Sequence, residues 1–316
     1  MNFKGKKILV TGGSGFIGQH LINKLLSLDA KVENYDKNDG LDIQNAKQLG
    51  KFIKRRYEVI FHLAGFSGSA KSNENIEKSF RINAFATLNI YELLVKYSPK
   101  TKLILSSSRL EYGNPQYLPV DEKHSTNPTS AYGLSKLTAS LMSLVYFQKD
   151  NLDVTIFRTS NVYGPHKKNS KHEYNIVNYF IDLAKKNLSL PIYGDGEQHR
   201  DYIYVDDFVS ALLLATAKRS KGEIYNLGYG KGIKFKDMAK LIVQISGKGK
   251  LKFIRWPDEF KQVETGSYIS NITKIKKDLG FKPKVNFRQG IRKTLQLSTN
   301  IWLFALLSLA CHQNLS

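Results

Sequence analysis

The sequence predicts an α/β chain built on a doubly wound parallel sheet, with a smaller lobe toward the C-terminus. Three observations carry that prediction. A short apolar run at 8–11 breaks into Gly12, Gly15 and Gly18, and apolar residues (Phe16, Ile17, Leu21, Ile22, Leu25) then recur at helical spacing. Strand-like and helix-like stretches alternate from there to residue 158. Asp36 closes the second apolar segment, about where a ribose-binding carboxylate belongs. Strand, glycine-rich turn and helix in that order build a Rossmann-type cradle for a dinucleotide. Gly12 permits the tight turn, Gly15 lets backbone approach the pyrophosphate, and Gly18 lets the helix pack closely on the strand. The helix N-terminus at Phe16 and Ile17 supplies free N–H groups and a partial positive charge. Asp36 accepts from both ribose hydroxyls and repels a 2′-phosphate, so the predicted cofactor is NAD rather than NADP.

The remaining elements follow in order. Strand-like runs occupy 8–11, 31–35, 59–63, 102–107 and 154–158; helical patterns occupy 17–28, 44–54, 76–97 and 131–149. Ligands of open parallel sheets sit at the carboxyl ends of the strands, so the loops after Thr11, Asp36, Leu63, Ser107 and Arg158 are expected to converge on one cleft. After Gly164-Pro165 the alternation weakens. Loops rich in Gly, Asn and Lys take over at 165–171, 194–198 and 228–232, which predicts a second lobe interleaved with late elements at 202–205 and 208–217. On this reading residues 1–160 and about 201–227 form an NAD-binding domain. Residues from about 161–200 and 228–293 form a substrate-binding lobe, and 294–316 form an uncharged tail.

Composition narrows the class. The 316 residues, 41% of them hydrophobic, suffice for one large core or two modest ones. The net charge of +21 raises nucleic acid as a partner. The basic residues are mostly lysines scattered without arginine-rich blocks or an aromatic-interleaved stripe, which predicts a solvated surface and no nucleic-acid binding. Such a field also attracts a dianionic nucleotide. Cys311 is the single cysteine, so no internal disulfide is expected, which fits a reducing, cytoplasmic setting. The N-terminal residues run into the first strand without a secretory pattern. Residues 294–316 contain no Asp, Glu, Lys or Arg. Their apolar stretch, 301–307, is shorter than the ~20 residues of a spanning helix, which predicts a docked or frayed helix rather than a membrane anchor. No metal is predicted.

The chemistry-bearing residues lie between the cradle and the second lobe. The strand at 102–105 ends in Ser106-Ser107-Ser108, and Tyr132 and Lys136 stand four apart at the start of a helix, on one face. A lysine ammonium near a phenol is expected to stabilise phenolate, and an oxidised nicotinamide pushes the same way. Such a tyrosine can take a proton from an alcohol while hydride leaves the same carbon, or run the reverse. A serine at a strand end can hydrogen-bond the reacting oxygen.

Taken together, T-G-G-S-G-F-I-G at 11–18, H-L-A-G at 62–65, S-S-S-R-L-E-Y-G at 106–113 and Y-G-L-S-K at 132–136 resemble the extended short-chain dehydrogenase/reductase family. More narrowly, they are similar to its NAD-dependent nucleotide-sugar epimerases and dehydratases, over about residues 6–293. The loop at 113–122 is close to that of UDP-galactose 4-epimerases. The resemblance implies Ser108 as the catalytic hydroxyl, Tyr132 as acid/base and Lys136 as the residue that tunes Tyr132 and holds the nicotinamide ribose. It implies Asp42 and Ile43 at the adenine, Asn83 at the nicotinamide end, and Leu63 and Ala64 among the cofactor contacts. Asn161 and Arg200 resemble residues that hold a substrate diphosphate, a task suited to a planar guanidinium. The competing reading of Arg200 is a surface ion pair with Asp201 or Glu197. His166 and His199 read as polar loop histidines. Trp256-Pro257-Asp258-Glu259 stands where many relatives carry an arginine-containing closing motif. The resemblance also implies a homodimer through the helices near 76–97 and 131–149, and a role in polysaccharide precursor synthesis.

The residues after Ser108 discriminate between reactions. Dehydratase relatives place Asp and Glu at the positions of Arg109 and Leu110. A leucine cannot move a proton, and Glu111 is one residue out of register, its side chain pointing the other way in an extended segment. Two reactions need only Ser108, Tyr132, Lys136 and NAD: 4-epimerisation of a nucleotide sugar, UDP-linked as the resemblance implies, and reduction of a 4-keto deoxysugar nucleotide with exchangeable NAD(P)H. Asp36 and the loop at 113–122 favour the epimerase. Dehydration and a non-catalytic NAD-binding protein are the remaining alternatives.

Overall fold

The computed structural model describes residues 2–166 and 175–296. The strands are β1 (Lys7–Thr11), β2 (Lys31–Tyr35), β3 (Val59–His62), β4 (Lys102–Ser108), β5 (Val154–Thr159), β6 (Asn161–Tyr163), β7 (Ser189–Tyr193), β8 (His199–Tyr204), β9 (Glu223–Leu227), β10 (Gly232–Lys234) and β11 (Lys250–Ile254). The helices are α1 (Phe16–Leu26), α2 (Ala46–Ile53), α3 (Ser69–Glu74), α4 (Ile76–Phe80), α5 (Ala86–Tyr97), α6 (Ala131–Asp150), α7 (Ile176–Lys185), α8 (Val205–Leu214), α9 (Phe235–Ser246), α10 (Asp258–Lys261) and α11 (Thr273–Leu279). The five apolar runs legible in the sequence are β1 to β5, within a residue or two at their ends.

Six strands pair in parallel in the order β2-β1-β3-β4-β5-β9. The chain steps outward from β1 to β2 and then returns to the other side of β1 as β3, so the topological switch lies between β1 and β3. The crevice beyond their carboxyl ends is the expected ligand site. β1, β3, β4 and β5 are apolar on both faces because helices cover both. On one face Leu21 and Leu25 of α1, Phe208 and Leu212 of α8 and Ile275 of α11 share a core with Ile8, Val10, Phe61 and Phe157. On the other, Leu49 and Ile53 of α2 and Ile90, Tyr91 and Leu94 of α5 pack against Leu9, Ile60 and Leu103. Burying a leucine of this kind contributes about 1.5–3 kcal/mol.

Three differences from the sequence reading have local causes. The run at 76–97 is not one helix: α4 and α5 are joined by a π-helical turn at Arg81–Phe85 that turns Asn83 inward. The late element expected at 202–205 falls on β8, which pairs with β6 and β10 in a separate three-stranded sheet. β9, not singled out in the sequence, completes the six-stranded sheet; Glu223 and Asn226 interrupt its five residues, so it lacks a continuous apolar signal. A second core gathers Phe180 and Ile181 of α7, Ile192 of β7, Tyr202 and Tyr204 of β8, and Met238 and Ile242 of α9. Among the described residues no helix is long and apolar enough to cross a membrane. Cys311, the apolar stretch at 301–307 and part of the loop at 165–171 lie outside the described residues.

Candidate functional site

The cradle is shaped by backbone contacts that only glycine permits. Gly12 sits at φ +74, and a Cβ there would lie 2.6 Å from the Ala64 nitrogen. A Cβ on Gly18 would lie 2.4 Å from the Gly12 oxygen, so α1 can approach β1 this closely only with glycine at that place. Gly15 differs: a Cβ there would meet only the Gly12 oxygen, at 3.1 Å, leaving its other side open. Gly15 is also the N-cap of α1 and offers no side-chain cap, so the N–H groups at Phe16, Ile17 and Gly18 point out of the helix end without a capping side chain. Asp36, at the end of β2, accepts the Ser14 N–H at 3.0 Å and the Asn38 N–H at 2.9 Å. A carboxylate has about four lone-pair positions, so this one retains capacity for ribose hydroxyls. Uncapped N–H groups, an open glycine face and a carboxylate one strand over fit a dinucleotide. Ile43 is buried beyond β2, and Asp42 turns its carboxylate onto the Gln44 N–H at 2.9 Å.

Behind the cradle lies a polar network that the sequence did not announce. His62, at the end of β3, is fully enclosed: Nδ1 lies 2.7 Å from Thr11 Oγ1 and Nε2 lies 3.0 Å from Thr87 Oγ1. The Thr87 hydroxyl donates to the Asn83 carbonyl, so the ring proton sits on Nε2 and Thr11 donates to Nδ1. Burial, with the Lys136 ammonium nearby, pushes this imidazole down to about 3, which keeps it neutral at physiological pH. Thr11 Oγ1 in turn receives the Ala64 N–H at 3.3 Å, and the Leu63 N–H donates to the Thr11 carbonyl at 3.0 Å. Asn83 is buried, with Oδ1 accepting the Phe66 N–H at 2.8 Å and Nδ2 donating to the Phe66 carbonyl and to Ser135 Oγ, each at 3.0 Å. Its side chain therefore clamps the loop after β3 to α6.

Ser108, Tyr132 and Lys136 come together at the carboxyl end of β4. Ser108 Oγ accepts the Leu110 N–H at 3.1 Å and lies near enough to the Tyr132 phenol to favour its ionised form. α6 begins one residue before Tyr132, capped by Ser130 Oγ on the Gly133 N–H, which aims its first turn at the end of β4. Lys136 Nζ donates to the Ser106 carbonyl at 2.6 Å. One expectation is corrected here. The phenol is not lowered by the lysine: burial raises it, the Ser108 hydroxyl opposes that, and the Glu111 carboxylate adds to it. Lys136 is itself brought down to about 8 by burial, with Glu111 opposing. Its ammonium is held by the Ser106 carbonyl, and the protein alone favours the neutral phenol.

Glu111 is a second point of difference. The segment after Ser108 is a single 3-10 turn, Arg109–Glu111, not an extended strand. The turn carries Glu111 inward, where it is fully buried: Oε2 accepts Arg158 Nε at 2.7 Å, and Oε1 accepts the Ser140 hydroxyl at 2.6 Å and the Ser107 hydroxyl. Its carboxylate faces the sheet rather than the cleft, and the residue before it on the turn is Leu110.

In the second lobe, Asn161 Nδ2 donates to the Asp201 carbonyl at 3.0 Å. Arg200 is buried and pairs with neither candidate partner. Glu197 is held by Lys234 and Lys236, and Asp201 accepts the N–H groups of Tyr229, Gly230 and Ser270. The partner of Arg200 is Glu264, with the Gly266 carbonyl beside it. His199 is a strand residue of β8, not a loop histidine, while His166 lies 3.3 Å from Asp182 and 3.0 Å from Asn178. Trp256 packs on Tyr193 with ring centres 5.3 Å apart, close over Gly194. Tyr202, Glu264 and Arg158 sit in or beneath the site without having been singled out, because a tyrosine in an apolar run and a lone charge carry no local pattern.

Comparisons with known proteins agree with this geometry. The profile of the NAD dependent epimerase/dehydratase family matches residues 8–228. A Methanocaldococcus jannaschii protein inferred to be a UDP-glucose 4-epimerase is 34% identical over 93% of this chain and 98% of its own length. The human dTDP-D-glucose 4,6-dehydratase is 30% identical over 92% of this chain and 89% of its own length. The crystal structure of UDP-glucose 4-epimerase with UDP-glucose from Thermotoga maritima superposes with a TM-score of 0.84 at 31% identity, covering 94% of this chain and 99% of that one. With a glycine cradle, a strand-end serine and a helix-borne Tyr-Lys pair all in place, the chain belongs to the NAD dependent epimerase/dehydratase family.

Proposed function

We propose that this protein is an NAD-dependent nucleotide-sugar 4-epimerase, acting on a UDP-linked hexose. The observation that carries the reading is the turn after Ser108. Elimination of water from the sugar needs an acid and a base beyond Tyr132, and this turn carries Arg109 and Leu110 at the two positions expected to supply them, while Glu111 is engaged by Arg158, Ser107 and Ser140. Epimerisation needs neither. The relatives include both epimerases and dehydratases, so likeness alone does not choose between them.

In this reading NAD is held by the N–H groups at Phe16, Ile17 and Gly18 beside the open face of Gly15, by Asp36 on the adenosine ribose, by Asp42 and Ile43 at the adenine, and by Leu63, Ala64, Tyr132 and Lys136 toward the nicotinamide. When bound, it accepts and returns hydride at the sugar C4. The chain's own work is proton management and positioning. Tyr132 removes the proton of the C4 hydroxyl and later restores it. Ser108 donates to that same oxygen and holds it beside the phenol. Lys136 supplies positive charge on the phenol side of the pocket, and Asn161 and Arg200 hold the diphosphate. Asn83 acts indirectly, by fixing the loop after β3. The sugar turns over within the cleft between hydride transfers.

The test is incubation of the purified protein with UDP-glucose or UDP-galactose, followed by proton NMR and by absorbance in the reduced-nicotinamide band. The expected result is interconversion of the two sugars with no net consumption of cofactor. Stoichiometric oxidation of added NAD(P)H by a 4-keto sugar nucleotide would instead identify a reductase. Formation of a 4-keto-6-deoxy product would identify a dehydratase, and no response to any sugar nucleotide a binding protein.

The division expected from the sequence, with about 161–200 and 228–293 as substrate lobe, is retained as part of this proposal. So are a cytoplasmic location and a role in polysaccharide precursor synthesis. A homodimer is proposed on the outer face of α6, where Leu134, Leu141 and Val145 are exposed at one-helix-face spacing, with Ile76 and Phe85 exposed on the neighbouring α4 and π-helical turn. A second copy of the same face would cover them. Val145→Glu is expected to convert a dimer to monomer in sedimentation equilibrium; an unchanged mass would remove this face from the interface.

A further inference from the structure

Arg109 and Arg200 both hold the short segment 264–266, and Tyr202, two residues from Arg200 on β8, carries a buried hydroxyl without a partner among the described residues. Arg109 leaves Ser108 through the 3-10 turn, and its guanidinium lies 5.2 Å from the centre of the Tyr268 ring, with Nη1 donating to Thr265 Oγ1 at 3.0 Å. A guanidinium carries five N–H donors, and this one has no carboxylate within ion-pair distance among the described residues. The nearest acid acting on it, Glu264, is already paired with Arg200. Two buried or half-buried guanidiniums thus share one carboxylate and repel each other; burial, followed by Arg200, brings Arg109 down to about 10. Tyr202 stands two residues from Arg200 on β8, on the same side of the strand. Its phenol is buried, feels both guanidiniums, and has a hydroxyl without a hydrogen-bond partner among the described residues. Buried donors of this kind are ordinarily satisfied, and an orphan beside surplus positive charge marks a place for an anion.

We propose that Arg109 is a specificity-determining residue which, with Arg200 and Tyr202, forms a subsite for an anionic oxygen of the substrate. The inference rests on the nucleotide-sugar reading above and adds to it a residue and a charge requirement. The anion has two possible sources on such a molecule: the diphosphate, or a carboxylate on the sugar itself. Both suit a planar fork that donates in parallel to two oxygens. Glu264 keeps Arg200 neutralised until the anion displaces it. Arg109 stands next to Ser108, so a bound anion also fixes the distance between the reacting sugar carbon and the phenol.

The experiment is calorimetric titration of the NAD-loaded, full-length protein with UDP, UDP-glucose and UDP-glucuronate. It compares wild type with Arg109→Met, which keeps the stem and removes the charge, and Tyr202→Phe, which removes only an unpaired hydroxyl and should leave the fold intact. Arg109→Met is expected to weaken binding ~10- to 100-fold, and Tyr202→Phe ~3- to 10-fold, the range of a charge-assisted and a neutral hydrogen bond. A loss shared by all three ligands assigns the diphosphate; a loss confined to UDP-glucuronate assigns the sugar carboxylate. Binding within twofold of wild type for every ligand in Arg109→Met overturns the inference while leaving the nucleotide-sugar reading intact. Should Arg109→Met not fold, the same result in Tyr202→Phe does so. Failure of the wild-type protein to bind any of the three removes both.

Discussion

Tyr132→Phe is expected to lower kcat by ~10²- to 10⁴-fold, the range of a lost general acid–base, with NAD still bound in wild-type amount. The phenol is the only proton acceptor in the proposed reaction, and it sits against Ser108 at the end of the strand that faces the cradle. Removing one oxygen leaves the ring and its packing, so the loss should fall on kcat and hardly on cofactor affinity. The pH profile sharpens the test. Burial and Glu111 hold this phenol up in the cofactor-free protein, so the lowering needed for catalysis must come from the cationic nicotinamide. Spectrophotometric titration should therefore show one tyrosine ionising at lower pH in the NAD-loaded protein than in the free protein, and no such difference in Tyr132→Phe. A variant that turns over at the wild-type rate would remove Tyr132 from the chemistry.

Glu111→Gln is expected to destabilise the fold by about 3–5 kcal/mol, the cost of leaving a buried cation unpaired. Arg158 is buried beside it, and its guanidinium also touches the Tyr112 hydroxyl and ring, neither of which carries a compensating charge. Chemical denaturation measures the loss. A second effect has a definite sign. Glu111 opposes the burial that brings Lys136 down to about 8, so without that carboxylate the ammonium is lost at still lower pH. NAD binding that relies on the ammonium should then weaken on the alkaline side earlier in Glu111→Gln than in wild type, as cofactor titration across pH would show. Wild-type stability with an unchanged alkaline limb would show the ion pair to be inessential.

Legibility in the sequence tracked the locality of each signal. β1, the glycines, α1 and Asp36 were readable because the cradle is written in one continuous segment whose residue types are each forced by backbone geometry. The Tyr-Lys pair was readable because four residues on a helix are always neighbours. What could not be read was long-range. Arg200 looked toward Asp201 and Glu197 along the chain but found Glu264, 64 residues away. Glu111 looked misaligned in an extended segment, and it took a tight turn to send it under the sheet to Arg158. The element at 202–205 carried no sign of which sheet it joins, and only its partners β6 and β10 show that β8 lies outside the six-stranded sheet. The environment of Lys136 was misjudged for the same reason: the carbonyl of Ser106 and the carboxylate of Glu111 enter through the fold, not through spacing.

The carboxylate of Asp36 already grips the glycine-rich turn through the Ser14 N–H, and the Thr11–His62 contact braces the same turn from behind. A dinucleotide entering such a rigid seat forfeits little freedom of the polypeptide, so most of its contact energy is retained as slow departure. The proposed reaction, in which the same hydride returns to the molecule it came from, gains directly from a coenzyme that lingers through many turnovers.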